Sequence, residues 1–404
     1  MNIQSVRGFH DILGKDAKKF RKVSSTARRI LKLYNFEEII LPVVEYAELF
    51  QRSVGETTDI VQKEMFVFED KKGRKLALRP EGTASAVRAF IQHKLYALRP
   101  YVKLFYEGPM FRYERPQAGR YRQFHQIGAE VFGIAEPHAD AEIIKITYDI
   151  LEALGIIKNV VIEINSLGCK KDREAYREAL LNYLRGVREE LCSDCISRME
   201  RNPLRVLDCK VETCKVAVRE APKMVDFLCE ECREHYEKLK NYLKALNIPF
   251  RENHNLVRGL DYYTRTVFEA VSDELGLTLI AGGRYDYLVE ELGGPPTPAL
   301  GFALGVERLM LLLSDEEERE EVYFVIPFGD VHEYALKVAD ILRRKGKVVE
   351  YSYRKGGLKK QLEFANKLRV KYAVIIGEDE VKNQEVTIKD METGEQRRVK
   401  LSEL

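Results

Sequence analysis

The chain has 404 residues, 45% of them hydrophobic and 32% charged, a globular composition that excludes disordered and membrane classes. Its 66 basic and 64 acidic residues nearly cancel, so any nucleic-acid contact must use local basic patches. A chain of this length is expected to form two or three domains.

The amino-terminal part of the chain predicts an amphipathic helix and no targeting segment. MNIQSVRGFHDILG lacks a charged stretch followed by an apolar core, and no run reaches the roughly 18 apolar residues of a membrane span. We therefore expect a cytoplasmic protein with no membrane partner. Apolar residues then recur at helical spacing, which predicts a helix over 16–34. The β-branched run 39–44 contains Pro42, which is typical of a sheet edge or a subunit contact.

Short apolar runs with few helices between them predict a mostly antiparallel sheet. In residues 64–79, EMFVFEDKKGRKLALR, apolar residues alternate with other residues in two runs joined by a Lys/Gly turn, which predicts a β-hairpin. Further strands are predicted in YVKLFYEGPMFRYE, RQFHQIGAEVFG, VVIEINSLG, TVFEAVS and TLIAGG.

Two changes in composition divide the chain. Residues 168–250 become helical, charged and rich in cysteine, as an inserted domain would, while 315–321 form an acidic linker. Strands and helices alternate over 322–404, which predicts a small α/β domain. Residues 1–167 and 251–314 are the two parts of the remaining domain. Between residues 343 and 371 there are 11 lysines or arginines and 2 acidic residues, either an RNA-facing patch or a solvated helical face.

The segment FRYERPQAGRYRQFHQIGAEVFG, residues 111–133, carries the strongest chemical signal. Its period of two predicts that Arg112 and Glu114 share one face of a strand, with Arg120 beyond a Pro/Gly loop. An arginine fork suits phosphate, and a carboxylate can accept from an adenine amine or organise metal-bound water. Taken alone, the same pair would more often be a surface ion pair.

The segment ALGFALGVERLMLLL, residues 299–313, joins a glycine-bearing strand to an apolar helix. Its glycines allow a close approach of the backbone to a ligand, and Arg308 near the helix start can neutralise a terminal phosphate. Helix packing is the alternative explanation. No GxxxxGK[ST] loop occurs, so the arginines predict an ATP-using enzyme, one that activates a small carboxylic acid, without P-loop chemistry.

Taken together, these segments resemble the motifs of class II aminoacyl-tRNA synthetases. Motif 1 would end near Pro42, motif 2 would be FRYERPQAGRYRQF, and motif 3 would be GFALGVERL. LVRGLDYYTRTVFE and AGGRYDYLVEELGG are similar to two segments peculiar to the histidyl-tRNA synthetase family. The resemblance implies an α+β fold: a mixed, mostly antiparallel catalytic sheet, a mostly helical insertion and a carboxy-terminal α/β anticodon-binding domain. It also implies a homodimer.

The same resemblance implies the reaction and its residues. The partners would be L-histidine, ATP with Mg²⁺, and histidine tRNA. The implied catalytic residues are Arg258 and Arg112, and the implied ATP-binding residues are Arg112, Glu114, Arg120 and Arg308. The implied histidine-binding residues are Glu81, Gly82, Thr83, Gln126, Glu130, Tyr262, Tyr263 and Tyr285. Arg115 and Gln117 of the motif 2 loop would contact tRNA.

Two CxxC pairs in the insertion predict a zinc site. Their spacing suits tetrahedral zinc, with Cys192, Cys195, Cys229 and Cys232 as ligands. Cys169 stands apart and is predicted to pack in the core. Reduced thiols without a metal are the alternative.

Two other functions fit part of the pattern. A noncatalytic regulatory subunit of ATP phosphoribosyltransferase would bind histidine without forming an adenylate, but such subunits typically lack the anticodon domain. An RNA-sensing pseudo-synthetase would bind tRNA and likewise form no adenylate. Histidine-dependent exchange of pyrophosphate into ATP distinguishes both from a ligase.

Overall fold

The computed structural model describes residues 3–55, 58, 60–315, 321–354 and 356–404. Two compact units form, Met1–Ser314 and Asp315–Leu404. Most of the predicted linker, 316–320, lies outside the described residues. Within the described ranges, no helix is long and apolar enough to cross a bilayer.

Two sheets form in the first unit. An eight-stranded sheet has the order β1-β5-β6-β11-β10-β9-β7-β8, and a three-stranded sheet has the order β2-β4-β3. Pairing is antiparallel except for β1 with β5 and β7 with β8. The strands are β1 (Glu37–Glu38), β2 (Val44–Tyr46), β3 (Val67–Glu69), β4 (Lys75–Leu78), β5 (Val102–Phe111), β6 (Gln123–Phe132), β7 (Val161–Ser166), β8 (Arg251–Glu252), β9 (Thr264–Ser272), β10 (Leu277–Arg284) and β11 (Ala299–Gly305).

The helices of the first unit lie between and after these strands. They are α1 (Gly14–Leu33), α2 (Ala47–Val54), α3 (Thr83–Gln92), α4 (Pro137–Ala153), α5 (Lys170–Gly186), α6 (Ser193–Arg201), α7 (Glu212–Ala217), α8 (Glu230–Ala245), α9 (Leu288–Glu291) and α10 (Val306–Met310). Helices α5 to α8 fall within the predicted insertion, residues 168–250, whose bounds remain a prediction. Apolar residues of α5, α6 and α7 share one core with α3 and β9, whereas most of those of α8 join the main core under the large sheet, so this segment packs directly on the rest of the unit.

Alternation along the central strands gives the large sheet one apolar face. On β6, Ile127, Ala129 and Val131 are buried in the main core, and on β11 Leu300 and Phe302 join them. Apolar residues of α1, α4 and α10 cover this face. The residues between them on the strands point to the other face, where glycine and polar side chains form a cavity.

The second unit is a five-stranded sheet with helices on both faces. Its strands, in the order β13-β12-β14-β15-β16, are β12 (Val322–Pro327), β13 (Val348–Tyr351), β14 (Tyr372–Ile376), β15 (Glu385–Asp390) and β16 (Gln396–Lys400). The helices are α11 (His332–Arg344), α12 (Leu358–Lys367) and α13 (Glu378–Asn383). Strand β12 is parallel to both of its neighbours, and the later pairs are antiparallel.

Helices α11 and α12 lie on opposite faces of this sheet. Tyr323 and Val325 of β12 share a core with α11, while Phe324 and Ile326 share another with α12. Because successive strand residues point to opposite faces, the two helices are separated by the sheet. The basic residues predicted between 343 and 371 as one patch are therefore distributed over both faces.

The predicted fold class is confirmed, with two local corrections. Strand β5 ends at Phe111, so Arg112 and Glu114 lie in the loop beyond the strand and not on its face. Residues 39–43 are not a strand, because β1 ends at Glu38 and β2 begins at Val44. Pro42 within this segment has no N–H to donate to a neighbouring strand.

Candidate active site

A polar cavity of about 340 Å³ opens on the face of the large sheet away from α1 and α4. Strands β6, β9, β10 and β11, the starts of α3 and α10, and the loop 258–263 line it. It brings together most residues predicted to bind ATP or histidine: Glu81, Thr83, Arg112, Glu114, Arg120, Gln126, Glu130, Arg258, Tyr262, Tyr263, Tyr285 and Arg308. Three predicted site residues, Gly82, Arg115 and Gln117, do not line it.

One end of the cavity is built on two buried glutamates, Glu81 and Glu130, and is called the carboxylate end. Glu130 is completely buried. Thr83 Oγ1 and Tyr106 Oη donate to its Oε1 at 2.9 and 3.0 Å, and the Tyr285 hydroxyl donates to its Oε2. Burial raises the pKa of Glu130 to about 8, although the three hydroxyls favour the ionised form.

Glu81 lies two residues before helix α3 and offers a second carboxylate at this end. The backbone N–H groups of Thr83 and Ala84 donate to its two oxygens at 2.6 and 2.9 Å. Burial raises the pKa of Glu81, and these N–H groups oppose the shift. Gln126 Oε1 is also buried and has no hydrogen-bond partner among the described residues. Such buried acceptors fit a ligand that carries N–H groups.

The packing at this end requires glycine at three positions. A Cβ at Gly82 or Gly128 would overlap the Tyr106 ring, and a Cβ at Gly301 would overlap the Glu130 carboxylate. Gly82, predicted to bind histidine, thus has an observed steric role: it leaves room for Tyr106.

Three tyrosines form an aromatic wall beside Glu130. Tyr262, Tyr263 and Tyr285 are all buried. The centre of the Tyr262 ring lies 4.7 Å from that of Tyr263 and 5.6 Å from that of Tyr285. Burial of the Tyr263 hydroxyl raises its pKa, so it is a neutral donor at ordinary pH.

Arg258 lies between this wall and β9. Its Nη1 pairs with Glu269, and its guanidinium carbon lies 5.6 Å from the centre of the Tyr263 ring. Burial disfavours the charge, but the Glu269 carboxylate outweighs it and raises the pKa of Arg258. Arg258 Nε is buried without a partner among the described residues.

The opposite end of the cavity, called the arginine end, contains Arg112, Arg120 and Arg308. Arg112 Nε donates to Pro80 O at 2.9 Å. Arg308 donates from Nε to Gly119 O at 3.0 Å and from Nη1 to Thr278 O at 2.6 Å. The backbone thus orients the two guanidiniums of Arg112 and Arg308, whose other N–H groups stay available to a ligand.

Positive charge at the arginine end exceeds negative charge. Burial and the nearby cations of Arg112 and Arg120 lower the pKa of Arg308. Glu114 lies among them, 2.9 Å from Arg120 Nε and 3.9 Å from Arg112 Nη1. One carboxylate among three guanidiniums leaves a site suited to an anionic ligand such as a polyphosphate.

The loop after Glu114 is exposed. Arg115 and Gln117 both face solvent. Gln117 and Arg120 exchange two backbone hydrogen bonds, of 3.0 and 2.9 Å, which close the loop. Arg115 and Gln117 can therefore meet a large partner but do not contribute to the cavity.

Sequence reasoning missed two side chains that shape the cavity. Tyr106 pairs across β5 and β6 with Gly128, and an aromatic residue opposite a glycine was a usable signal. Glu269 is a lone charge in the apolar strand TVFEAVS, and such a residue needs a buried partner. Its partner, Arg258, lies outside that strand.

Two separate groups of metal-ligating side chains form in the cysteine-rich segment. The first cysteine cluster comprises Cys192, Cys195, Cys209 and Cys214, and the second comprises Cys169, Asp172, Cys229 and Cys232. Within each group the ligand atoms lie within 4.8 Å of one another. The predicted single site is therefore not formed, because its two CxxC pairs begin different helices, α6 and α8. Cys169, predicted to stand apart, belongs to the second cluster.

Comparison with known protein families covers both units. The family described as Histidyl-tRNA synthetase matches residues 8–309, and the family described as Anticodon binding domain matches residues 322–404.

Individual proteins similar to the chain extend over its full length. A histidine–tRNA ligase of Aquifex aeolicus (strain VF5) is 94% identical over 404 residues, all of both chains. The histidine–tRNA ligase of Thermodesulfovibrio yellowstonii is 49% identical over 410 residues, covering 100% of this chain and 97% of its own. The crystal structure of apo S. aureus histidyl-tRNA synthetase is 38% identical, with a TM-score of 0.82 over 99% of this chain and 98% of its own.

Proposed function

This chain belongs to the histidyl-tRNA synthetase family and is a histidine–tRNA ligase, and from that premise we propose how its cavity performs the reaction. In the first step a histidine carboxylate oxygen bonds to the α-phosphorus of ATP while the bond from that phosphorus to pyrophosphate breaks. In the second step the terminal ribose hydroxyl of tRNA attacks the carbonyl carbon, loses its proton, and AMP departs. ATP, histidine and tRNA are thus its substrates.

The arginine end is proposed to bind ATP. Arg112 would hold the α-phosphate, Arg308 the γ-phosphate, and Arg120 would add charge nearby. The support is the excess of positive charge there and the backbone carbonyls that orient Arg112 and Arg308. Glu114 would accept from the adenine amine. Preorganised guanidiniums stabilise charge that develops at phosphorus without reorganising during the step.

Arg258 is proposed to be the second catalytic arginine, together with Arg112. Its Nε lacks a partner in the cavity wall, while Glu269 holds its Nη1 in place. A buried N–H that the protein leaves unpaired beside the cavity can strengthen its contact as negative charge grows in the transition state.

Histidine is proposed to occupy the carboxylate end. The ammonium and imidazole groups both donate N–H, and Glu81, Gln126 and Glu130 are acceptors. Thr83, Tyr262, Tyr263 and Tyr285 would complete the pocket. A smaller apolar amino acid would leave these acceptors unpaired, which rejects it more strongly than an apolar pocket could.

Two metals are proposed. Mg²⁺ would accompany ATP and supply positive charge to the phosphate oxygens. Glu114 is the carboxylate that lies among the arginines there. A structural zinc ion would bind in the first cysteine cluster.

A homodimer is proposed on the basis of exposed apolar residues near motif 1. Ile40 is 88% exposed, and Val44, Tyr46, Val67 and Phe68 of the small sheet are also exposed. Such a patch is typical of a subunit contact. Sedimentation equilibrium tests the dimer, and a monomer at micromolar concentration would contradict it.

We also propose that the protein is located in the cytoplasm.

We propose that tRNA contacts Arg115 and Gln117 of the exposed loop and the start of α12. Lys359 and Lys360 are exposed there. Changing both lysines to Gln should reduce the slope of log affinity against log salt by roughly 1 to 2 and leave pyrophosphate exchange intact. The matched pair Arg343 and Arg344 lies on the other face, and Arg344 is already paired with Asp340 at 2.9 Å. An equal effect of both double variants would refute a contact specific to α12.

One observation carries the proposal: a single cavity joins a buried, acceptor-rich end to an end with three cations. Exchange of labelled pyrophosphate into ATP, measured with each of twenty amino acids, tests it. We expect exchange with histidine alone. Binding of histidine without exchange would instead fit a regulatory subunit of ATP phosphoribosyltransferase.

A further inference from the structure

The first cysteine cluster has the spacing of a tetrahedral metal site. Its four sulfurs lie within 4.8 Å of one another, and Cys192 Sγ is 3.9 Å from Cys209 Sγ. Four zinc–sulfur bonds of about 2.3 Å in a tetrahedron separate the sulfurs by about 3.8 Å. The four thiols are free, and Cys195 and Cys214 are fully buried. A zinc ion fits among them with little movement.

The four ligands come from three consecutive pieces of chain. Cys192 and Cys195 begin α6, Cys209 lies in the loop that follows, and Cys214 lies in α7. The backbone N–H of Cys192 donates to Cys214 Sγ at 3.1 Å, so the start of α6 already contacts α7 at this cluster. A metal bound here would therefore tie the two helices to the loop between them.

The second cysteine cluster is different. Asp172 Oδ1 accepts from the backbone N–H of Cys229 at 3.1 Å, and Asp172 Oδ2 accepts from that of Cys169 at 3.2 Å. This carboxylate therefore joins the starts of α5 and α8 without a metal. The inference concerns the first cluster alone.

The loop held by the first cluster reaches the cavity. Cys209 is flanked by Asp208 and Lys210, and both line the cavity. Nearby in the same segment, Asn202 Nδ2 donates to Asp261 Oδ1 at 2.8 Å. These contacts run from the end of α6 to the active-site wall.

A second contact ties this segment to the loop that carries Arg258. Arg205 Nη1 donates to Gly259 O at 3.2 Å, one residue beyond Arg258. The segment 202–210 thus contacts the loop 258–263 at Gly259, which lines the cavity, and at Asp261, while Cys209 anchors its far end to the cluster.

We propose that the first cysteine cluster binds zinc and that this zinc positions segment 202–210, and through it the loop of Arg258, for adenylate formation. Cys192, Cys195, Cys209 and Cys214 are the ligands. Asp208, Asn202 and Arg205 are positioning residues, not catalytic ones. The part that concerns adenylate formation rests on the proposed function, whereas the metal site stands without it.

The test compares four forms of the full chain: wild type, Cys214→Ser, Cys214→His and Val218→Ala. Histidine keeps a zinc ligand at the position, and Val218→Ala removes buried apolar volume from the same core without touching a ligand. Zinc per chain is measured by elemental analysis after purification without added metal. Histidine-dependent pyrophosphate exchange and chemical unfolding are measured on the same samples.

We expect Cys214→Ser to lose one zinc per chain and to lower kcat for exchange by roughly 10- to 100-fold, with a smaller change in KM for ATP. Cys214→His should keep both zinc and most of the activity. Val218→Ala should lose stability while keeping zinc and kcat.

Each half of the inference can be overturned separately. Wild-type protein without zinc, or Cys214→Ser with an unchanged zinc content, would remove the metal site. Loss of zinc with unchanged exchange, or equal loss of kcat in Val218→Ala, would remove the positioning role. Absence of exchange in the wild type would instead refute the proposed adenylation chemistry, and the zinc content would remain informative.

Discussion

The two ends of the cavity differ in how completely the protein pairs their polar groups. At the carboxylate end, three hydroxyls contact Glu130 and two backbone N–H groups contact Glu81. At the arginine end, burial and neighbouring cations lower the pKa of Arg308, and the carboxylates of Glu114 and Glu269 oppose that shift. The polar groups of the carboxylate end are therefore largely paired before any ligand arrives, whereas the positive charge of the arginine end is balanced only when an anion binds.

This difference assigns selectivity and rate to different ends. Rejection of wrong amino acids depends on buried acceptors that stay unpaired with the wrong ligand. Acceleration depends on guanidiniums that meet charge as it develops at phosphorus. Substitutions at the carboxylate end should act on histidine, and substitutions at the arginine end should act on ATP.

Arg258→Ala should have the largest effect on this division, because Arg258 touches the tyrosine wall and is proposed to stabilise charge at the α-phosphorus. We expect exchange to fall by roughly 10²- to 10³-fold, while dissociation constants for ATP and histidine change by less than about tenfold. Steady-state exchange and calorimetric binding measure the two quantities.

The control for this variant is Arg258→Lys, which keeps a charge near Glu269. Arg258→Ala leaves the buried Glu269 carboxylate without its cation, so unfolding is followed in both proteins to show that they fold. Equal losses in rate and in binding would contradict a role confined to the transition state.

Glu130→Gln sharpens the comparison through pH. Glu130 has a folded-state pKa of about 8 against an ordinary value of 4.5, so the folded protein keeps a proton that the unfolded chain has lost. Its contribution to stability is full below the lower value and is lost as pH rises through the higher one.

The free energy of unfolding of the wild type should therefore fall by up to roughly 3–5 kcal/mol relative to Glu130→Gln between about pH 5 and pH 9. Chemical denaturation without histidine measures it. Glu81, whose pKa burial also raises, remains in both proteins, and its charge interaction with Glu130 is part of the measured difference. Glu290→Gln, at an exposed position, is the matched control. If the free energies of unfolding of Glu130→Gln and wild type changed in parallel with pH, the raised pKa of Glu130 would be refuted.

Sequence patterns predicted those features of the site that depend on neighbours along the chain. Gln126 and Glu130 share a face because they are four positions apart on one strand, and Arg308 follows a glycine-bearing strand. The resemblance of short segments then supplied their roles. Tyr106 and Glu269 were missed because their partners lie on other elements.

The cysteines show the same limit. CxxC spacing correctly places two cysteines near each helix start, but it cannot tell which other segment folds against them. Cys209 and Cys214 join Cys192 because of the turn between α6 and α7. Likewise, the basic residues between 343 and 371 are continuous in the sequence but are distributed over two faces of the second unit, because the sheet lies between α11 and α12.

Arg308→Ala and Arg120→Ala compare a buried with an exposed cation at the same end. Arg308 donates to two backbone carbonyls, whereas the Arg120 side chain is 43% exposed. We expect KM for ATP to rise roughly 10- to 100-fold without Arg308 and less than about fivefold without Arg120. KM for histidine should change by less than about twofold in both, as pyrophosphate exchange can measure. A larger effect on histidine than on ATP would break the division between the ends.

Phe124→Leu is expected to have the smallest effect and acts on the arginine end through Arg112. The Arg112 guanidinium carbon lies 5.2 Å from the centre of the Phe124 ring, and such contacts contribute about 0.5–1 kcal/mol. Loss of the ring should raise KM for ATP by roughly two- to fivefold, because Arg112 loses one side of its support. KM for histidine should stay constant, and Phe124→Tyr, which keeps a ring, should restore ATP binding. If Phe124→Leu weakened histidine binding more than ATP binding, the ring would belong to the carboxylate end, and the boundary between the two ends would lie closer to Arg112.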